Sequence, residues 1–327
     1  MFRNARVLVA GGTGFVGVNL IRRLLALGAR VTATLHRSEA VLVDDRITYI
    51  RGDLRRQEDC AAAVQGVDYV FMCAASTSGA AAIAQTPLVH LTPNILMNIS
   101  MLDAAYQAGV RKFLFVSSSV VYPLTDDPVK EDDVTNQFYE KYFVAAWMKR
   151  FTEIACEIYA TKIAKPMKVC VVRPANIYGE HDKFDWETSH VIPALIRKVV
   201  ERHDPIEVWG EGTDLKEFIY VGDFVEGMLM AMEKIDGFEP VNIAAGKPCT
   251  VRDVLAILLE VDDYRSAKVT YDASKPTMIP KRLIDTSKAE RLLGFHASTP
   301  LREGLAKTVA WYRASRGLSP AGSGSAR

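Results

Sequence analysis

Glycines 11, 14 and 17 fall at three-residue intervals in Gly11-Gly12-Thr13-Gly14-Phe15-Val16-Gly17, between a short apolar run and a helical pattern. That spacing suits a phosphate cradle. Gly11 permits a tight turn, Gly14 lets backbone approach a pyrophosphate, and Gly17 lets the helix lie close on the strand. The free N–H groups of the helix start would face the anion. Gly11, Thr13, Gly14, Phe15, Val16 and Gly17 are therefore expected to hold a dinucleotide. Where an acidic side chain would take the ribose 2′-hydroxyl of NAD, the chain reads Leu35-His36-Arg37-Ser38. Arg37 could pair with a 2′-phosphate, which favours NADP(H) over NAD; the competing reading is a solvated surface arginine. Asp53 and Leu54 are placed to meet the adenine, and Ala74, Ala75 and Ser76 to run along the middle of the cofactor.

To bring these groups together the chain needs a parallel sheet wrapped by helices, and its first half has that alternation. Apolar runs at 7–10, 31–35, 47–50, 69–73, 113–117 and 169–172 read as strands. Helical patterns at 14–27, 58–64, 94–108 and 139–161 lie between them. After about residue 176 the alternation breaks into helices near 191–201, 222–233 and 251–259 with short strand-like pieces at 207–209 and 218–220. The expected fold is α/β: a Rossmann-type, doubly wound parallel sheet with a smaller, mixed C-terminal region. The division expected is a dinucleotide-binding domain over 1–175, a mainly substrate-binding region over 176–316, and a flexible Gly/Ser/Ala-rich tail over 317–327. Such a region is well placed to close over a substrate, because ligands of open α/β sheets bind beyond the carboxyl ends of the strands.

A formal net charge of +1 over 327 residues gives no electrostatic footprint for nucleic acid or a membrane surface. No apolar run reaches the roughly 18 residues needed to span a bilayer, and Met1-Phe2-Arg3-Asn4-Ala5-Arg6 enters the first strand without a signal-peptide core. A cytoplasmic protein is the expectation. The five cysteines, Cys60, Cys73, Cys156, Cys170 and Cys249, lack paired spacing and read as reduced, mostly buried thiols, with no metal site.

Taken together, the glycine turn, Asp53-Leu54, Ala74-Ala75, Asn94, Ser117-Ser118-Ser119-Val120-Val121-Tyr122-Pro123 and Arg173-Pro174-Ala175-Asn176-Ile177-Tyr178-Gly179 resemble the extended short-chain dehydrogenase/reductases over nearly the whole chain. Within that superfamily the chain is similar to the GDP-L-fucose synthases, the GDP-4-keto-6-deoxymannose epimerase-reductases. This second likeness rests on residues 178–184, on Ser189-His190-Val191-Ile192-Pro193-Ala194-Leu195, and on Val208-Trp209-Gly210-Glu211-Gly212. It continues through 217–221 and 271–276.

The resemblance implies a catalytic Ser118 and a Lys149 four residues after the position of a catalytic tyrosine. At i and i+4 two side chains share a helix face, so an ammonium can lower the phenol's pKa while holding the nicotinamide ribose. The tyrosine position holds Ala145. Tyr142 precedes Lys149 by seven residues, about 10 Å along a helix, and is not a simple substitute. Either the alanine is an engineered change or the enzyme takes its proton elsewhere. His190 matches the family's proton-transferring histidine, while Val120 stands where its partner cysteine would be. Single epimerisation, or none, is then expected rather than double. A helix-start histidine satisfied by backbone is the alternative for His190.

The resemblance further places Pro174, Asn176 and Ile177 at the cofactor. Ser118, Ser119, Asn176, His190, Lys198, Trp209, Lys216 and Arg282 fall at a nucleotide-diphosphate sugar, GDP-linked. Cations suit a diphosphate and an aromatic ring suits a base; the alternatives are solvated lysines and a core ring for Trp209. His181, Asp182 and Lys183 form a polar loop to which the sequence assigns no role. A homodimer is implied through the helices at 94–108 and 139–161. Two other functions stay open: a nucleotide-sugar 4-epimerase or dehydratase using NAD, and a catalytically silent cofactor-binding protein.

Overall fold

Strands whose residues are buried almost end to end, such as Tyr69–Met72 and Lys168–Pro174, can only lie in a sheet covered on both faces, and that is where they are found. The computed structural model describes residues 1–76, 88–275 and 277–320. Its main sheet is formed by β1 (Arg6–Ala10), β2 (Arg30–Leu35), β3 (Ile47–Arg51), β4 (Tyr69–Met72), β5 (Lys112–Val116), β6 (Lys168–Pro174) and a late strand, β10 (Glu239–Ile243). All pairings are parallel, in the order β10-β6-β5-β4-β1-β2-β3. The order reverses between β1 and β4, which opens the ligand crevice of a doubly wound sheet beyond the ends of those two strands.

Helices α1 (Phe15–Ala26) and α6 (Val221–Lys234) supply apolar residues to one face, where Leu20, Ile21, Leu24, Phe224, Met228 and Met232 are buried. On the other face α2 (Gln57–Ala63), α3 (Leu88–Gln107) and α4 (Phe143–Thr161) bury Cys60, Met101, Leu102, Ala105 and Cys156. A third core lies in the C-terminal region, among α5 (Val191–Val200), α7 (Val251–Val261) and α9 (Leu301–Ser315). The short helix α8 (Ser287–Leu293) contributes Ala289 and Leu293 to the first core. Around the third core lie β7 (Asn176–Tyr178), β9 (Leu215–Tyr220) and β11 (Pro248–Thr250) as one small sheet, and β8 (Ile206–Trp209) with β12 (Val269–Asp272) as another.

The main sheet does not end at residue 175. The segment from α6 to β10 returns to it and adds a strand beside β6, so part of the stretch expected to be substrate-binding completes the dinucleotide-binding sheet. Two helix starts also differ from the sequence pattern. Helix α3 begins at Leu88 and runs through Pro93 rather than starting after it. Helix α4 begins at Phe143, and residues 140–142 make a separate tight turn that leaves Tyr142 at its N-cap with φ −112° and ψ 6°. The expected tail lies outside the described residues beyond 320. Among the described residues no helix is long and apolar enough to cross a membrane. All five cysteines are free thiols; Cys60, Cys156 and Cys170 are buried, Cys73 and Cys249 half-buried.

Candidate active site

At the crevice, Gly11 takes φ +86°, and a Cβ there would lie 2.7 Å from Ala74 Cα. At Gly17 a Cβ would come within 2.2 Å of the Gly11 carbonyl oxygen. Only glycine allows the turn at the first position and the close approach of α1 at the second. The turn is tied to β2, with Gly11 N donating to Thr34 Oγ1 (2.9 Å) and Gly12 N to Thr34 O (2.9 Å). Gly14 is the N-cap of helix α1, which has no side-chain cap and no acidic residue in its first turn. Its first N–H groups, those of Phe15, Val16 and Gly17, are thus left for a bound anion. This cradle fits the pyrophosphate of a nicotinamide dinucleotide.

Thr13 lies in the turn between Gly11 and α1, and Arg37 is exposed just past the end of β2. Asp53 follows β3, where Arg55 hydrogen-bonds its carboxylate and draws its pKa down to about 2; His36 Nε2 approaches to 4.0 Å. Leu54 is buried beneath. Beyond β4, Ala74 and Ala75 lead to Ser76, whose backbone is clamped by the buried Asn94: Ser76 N donates to Asn94 Oδ1 (2.8 Å) and Asn94 Nδ2 donates to Ser76 O (2.9 Å). Pro174 ends β6, while Asn176 and Ile177 begin the short β7; Asn176 Nδ2 donates to Glu217 O at 2.9 Å.

Strand β5 ends at Val116, which Lys149 bonds and which Ser118 follows by two residues. Lys149 Nζ donates to Val116 O at 2.8 Å and lies 4.9 Å from the centre of the Phe115 ring. Burial lowers its pKa to about 8, opposed by the nearby Glu153 carboxylate. Ser118 follows in extended backbone and its hydroxyl accepts from Val120 N at 3.3 Å; Ser119 opens the tight turn that comes next. Ala145 is half-buried one helical turn before Lys149.

Neither neighbouring phenol takes the place of a tyrosine at 145. Tyr122 is fully buried, donates to Asn242 Oδ1 at 2.6 Å and accepts from Arg173 at 3.0 Å, and burial raises its pKa. Tyr142 sits before α4 begins; burial lifts its pKa to about 12, partly offset by Arg282.

A buried polar network that the sequence reading missed holds this arrangement. Glu153, one turn beyond Lys149 and fully buried, accepts from Ser117 Oγ (2.6 Å) and from Arg173 Nε and Nη2 (2.9 and 2.8 Å). Arg173 also donates to Glu131 O (2.8 Å), and Asn242 N of β10 donates to Glu131 Oε1 (2.7 Å). Ser117, Tyr122 and Arg173 were visible in the family-like motifs. Glu131 and Asn242 carried no signal, because their partners are distant in sequence.

The remaining candidates lie in the C-terminal region. His190 caps α5 without a side-chain cap bond; its ring is 61% exposed and its Nδ1 lies 3.8 Å from Asp182 Oδ1. Lys198 Nζ donates to Glu207 O (2.6 Å), and Trp209 Nε1 donates to Glu207 Oε1 (3.1 Å), so these two candidates share one neighbour. Trp209 is 49% exposed and is not a core ring. Lys216 Nζ donates to Ile279 O (2.8 Å) and lies 3.3 Å from Asp214. Arg282 is buried, donates to Pro123 O (2.9 Å) and Tyr122 O (3.3 Å), and leaves Nε without a partner. Arg282 thereby links this region to the Ser118 segment. Burial lowers the pKa of Lys198, Lys216 and Arg282 alike.

Against known proteins, the model of the NAD dependent epimerase/dehydratase family matches residues 7–244. A probable GDP-L-fucose synthase 1 of Oryza sativa subsp. japonica is 32% identical, with 95% of this chain and 92% of the relative covered. The GDP-L-fucose synthase of Escherichia coli (strain K12) is 30% identical, with 94% and 96% covered. Among solved structures, the UDP-glucose 4-epimerase of Thermotoga maritima, in complex with UDP-glucose, superposes with a TM-score of 0.85 at 26% identity over 95% of this chain and 99% of that one. Cradle, switch point and whole-length likeness agree: the chain is an enzyme belonging to the NAD dependent epimerase/dehydratase family, within the short-chain dehydrogenase/reductase superfamily.

Proposed function

We propose that the protein is an NADP(H)-dependent enzyme that epimerises, reduces, or both, a GDP-linked 4-keto sugar, and that it does so without a phenol at position 145. The observation that carries this reading is the bond from Lys149 Nζ to Val116 O, two residues before Ser118, with Ala145 one turn before the lysine. When bound, the dinucleotide supplies or takes up hydride. The chain's own groups do the rest. Ser118 hydrogen-bonds the keto oxygen with Ser119 beside it, Lys149 holds the nicotinamide ribose, and His190 takes a proton from a ring carbon. Asn176 lies where sugar and cofactor adjoin. Lys198, Lys216 and Arg282 take the diphosphate, whose charge offsets the burial that disfavours their cationic forms, and the exposed Trp209 ring offers a face to the base.

Support for NADP comes from Arg37, exposed past β2 and without an ion pair among the described residues, and from Asp53, already engaged by Arg55. Support for a GDP-linked sugar comes from the two GDP-L-fucose synthase relatives. An exposed apolar face on α4 supports a homodimer.

The test compares the chain with its Ala145→Tyr variant, measuring NADPH consumption with GDP-4-keto-6-deoxymannose at matched protein concentration. Restoring an acid one turn before Lys149 is expected to raise reduction about 10²- to 10⁴-fold. If neither form consumes NADPH while both exchange ring protons with deuterated water, the enzyme is an epimerase that does not reduce. No binding of the GDP-sugar in calorimetry would sink the substrate assignment, and release of NAD instead of NADP on denaturation would sink the cofactor assignment.

A further inference from the structure

We infer that Asp182 is a positioning residue that fixes the His190 ring with Nδ1 turned inward and Nε2 turned toward the substrate. This rests on the reading above, in which His190 moves a ring proton. Asp182 lies in the polar loop between β7 and α5, with its side chain 3% exposed. Its Oδ1 accepts from Lys183 N at 2.7 Å and faces His190 Nδ1 at 3.8 Å. Its Oδ2 is buried and has no partner. An unpaired carboxylate oxygen withdrawn from water is costly, and His190 Nδ1 faces this same carboxylate across 3.8 Å. The separation exceeds a hydrogen bond, and a rotation of the 61% exposed His190 side chain would close it.

The loop is built to keep that carboxylate still. His181 adopts φ +68° and sets its ring 4.8 Å from that of Trp311 on α9. Phe184 stacks on Tyr312 of the same helix at 4.5 Å. From α5, the buried Arg197 donates through Nη1 to Phe184 O at 2.7 Å. Asp182 is therefore gripped between α9 and the helix that His190 begins.

The chemical consequence follows from the two ring nitrogens. A carboxylate that accepts from Nδ1–H selects the tautomer whose Nε2 carries a free lone pair, and stabilises the imidazolium formed when that nitrogen is protonated. The C–H bond beside the ketone then breaks; its electron pair becomes the enolate, with charge on the keto oxygen held by Ser118, and the proton goes to Nε2. A solvent proton delivered to the opposite face of that carbon completes the inversion, and Nε2 releases its proton to solvent.

Nitrogen-15 NMR of the free protein reads the tautomer directly, before any substrate is added. The expected result is an Nδ1–H ring for His190, lost in Asp182→Asn and recovered in Asp182→Glu. Deuterium uptake into GDP-4-keto-6-deoxymannose should fall about 10²-fold in Asp182→Asn with KM little changed, and return in part with glutamate. His190→Asn separates the two readings. If it leaves deuterium uptake intact, the role of His190 itself is wrong. If it abolishes uptake while Asp182→Asn leaves uptake and tautomer as they were, the inference about Asp182 is overturned; an Nε2–H ring in the unaltered protein overturns it as well.

Discussion

Lys149 carries its charge into a half-buried position against Val116 O and the Phe115 ring, where burial brings its pKa from 10.5 down to about 8. Between those two values the unfolded chain binds the proton and the folded chain sheds it. Stability attributable to this group therefore rises with pH across that window, and below it the folded protein bears the cost of a buried ammonium. In the absence of dinucleotide, Lys149→Met is expected to unfold at higher urea than the unaltered chain at pH 7, by on the order of 2 kcal/mol. The gap should close as pH rises from about 8 toward 10.5. A gap that does not change with pH would mean that the lysine is not desolvated. At this scale the family resemblance is what named Ser118, Lys149 and the Ala145 position, and α4 sets Ala145 one turn before Lys149. What spacing could not supply was the environment of each nearby phenol. Tyr122 lies four residues from Ser118 yet points into the Asn242 and Arg173 network, and Tyr142 is set apart by the turn that precedes α4.

Three elements are tied together by that network: the end of β5 through Ser117, the residue that follows it, β6 through Arg173 and α4 through Glu153. It is the fixed base on which Lys149 and Ser118 are mounted, since Glu153 sits one turn beyond Lys149 and Ser117 immediately before Ser118. A buried ion pair adds little net stability, but removing one partner strands the other charge. Glu153→Gln should therefore cost about 3–5 kcal/mol in urea unfolding, because Arg173 keeps its charge at 2% exposure. The double variant Glu153→Leu with Arg173→Met removes more hydrogen bonds but leaves no charge unpaired, and should cost less than the single one. If the double variant is the worse of the two, the network acts through its hydrogen bonds rather than its paired charge. Helix α4 was legible from its periodicity except at its start: residues 139–142 fit the same apolar pattern, but a tight turn closes there before Phe143 begins the helix.

At the scale of the molecule, the alternation of apolar runs and helical patterns was enough for β1 to β6, even for the edge strand β3, which has no fully buried residue. It was not enough for β10. Glu239–Ile243 holds only Val241 and Ile243 as large apolar residues, and its place beside β6 comes from tertiary pairing after α6 has crossed the sheet. Helix α4 shows the complementary case, an apolar pattern larger than one chain can use. Phe143, Trp147, Phe151 and Ile158 are 47%, 38%, 46% and 44% exposed. At about 100° per residue they fall within roughly 80° of arc, while Ala145, Lys149 and Glu153 lie on the opposite side. Leu96 of the neighbouring α3 is also 44% exposed. A contiguous exposed apolar face of this kind marks an interaction surface, and a second copy offering the same two helices would cover it with self-complementary shape. Sedimentation equilibrium is expected to give a dimer for the unaltered chain. Trp147→Glu with Phe151→Glu should shift it to monomer at micromolar concentration, because each carboxylate would have to be desolvated at the centre of the interface. A monomer for the unaltered chain, or a dimer untouched by the two glutamates, would assign that face of α4 to a different partner and leave the active-site face as the only one this helix uses within the enzyme.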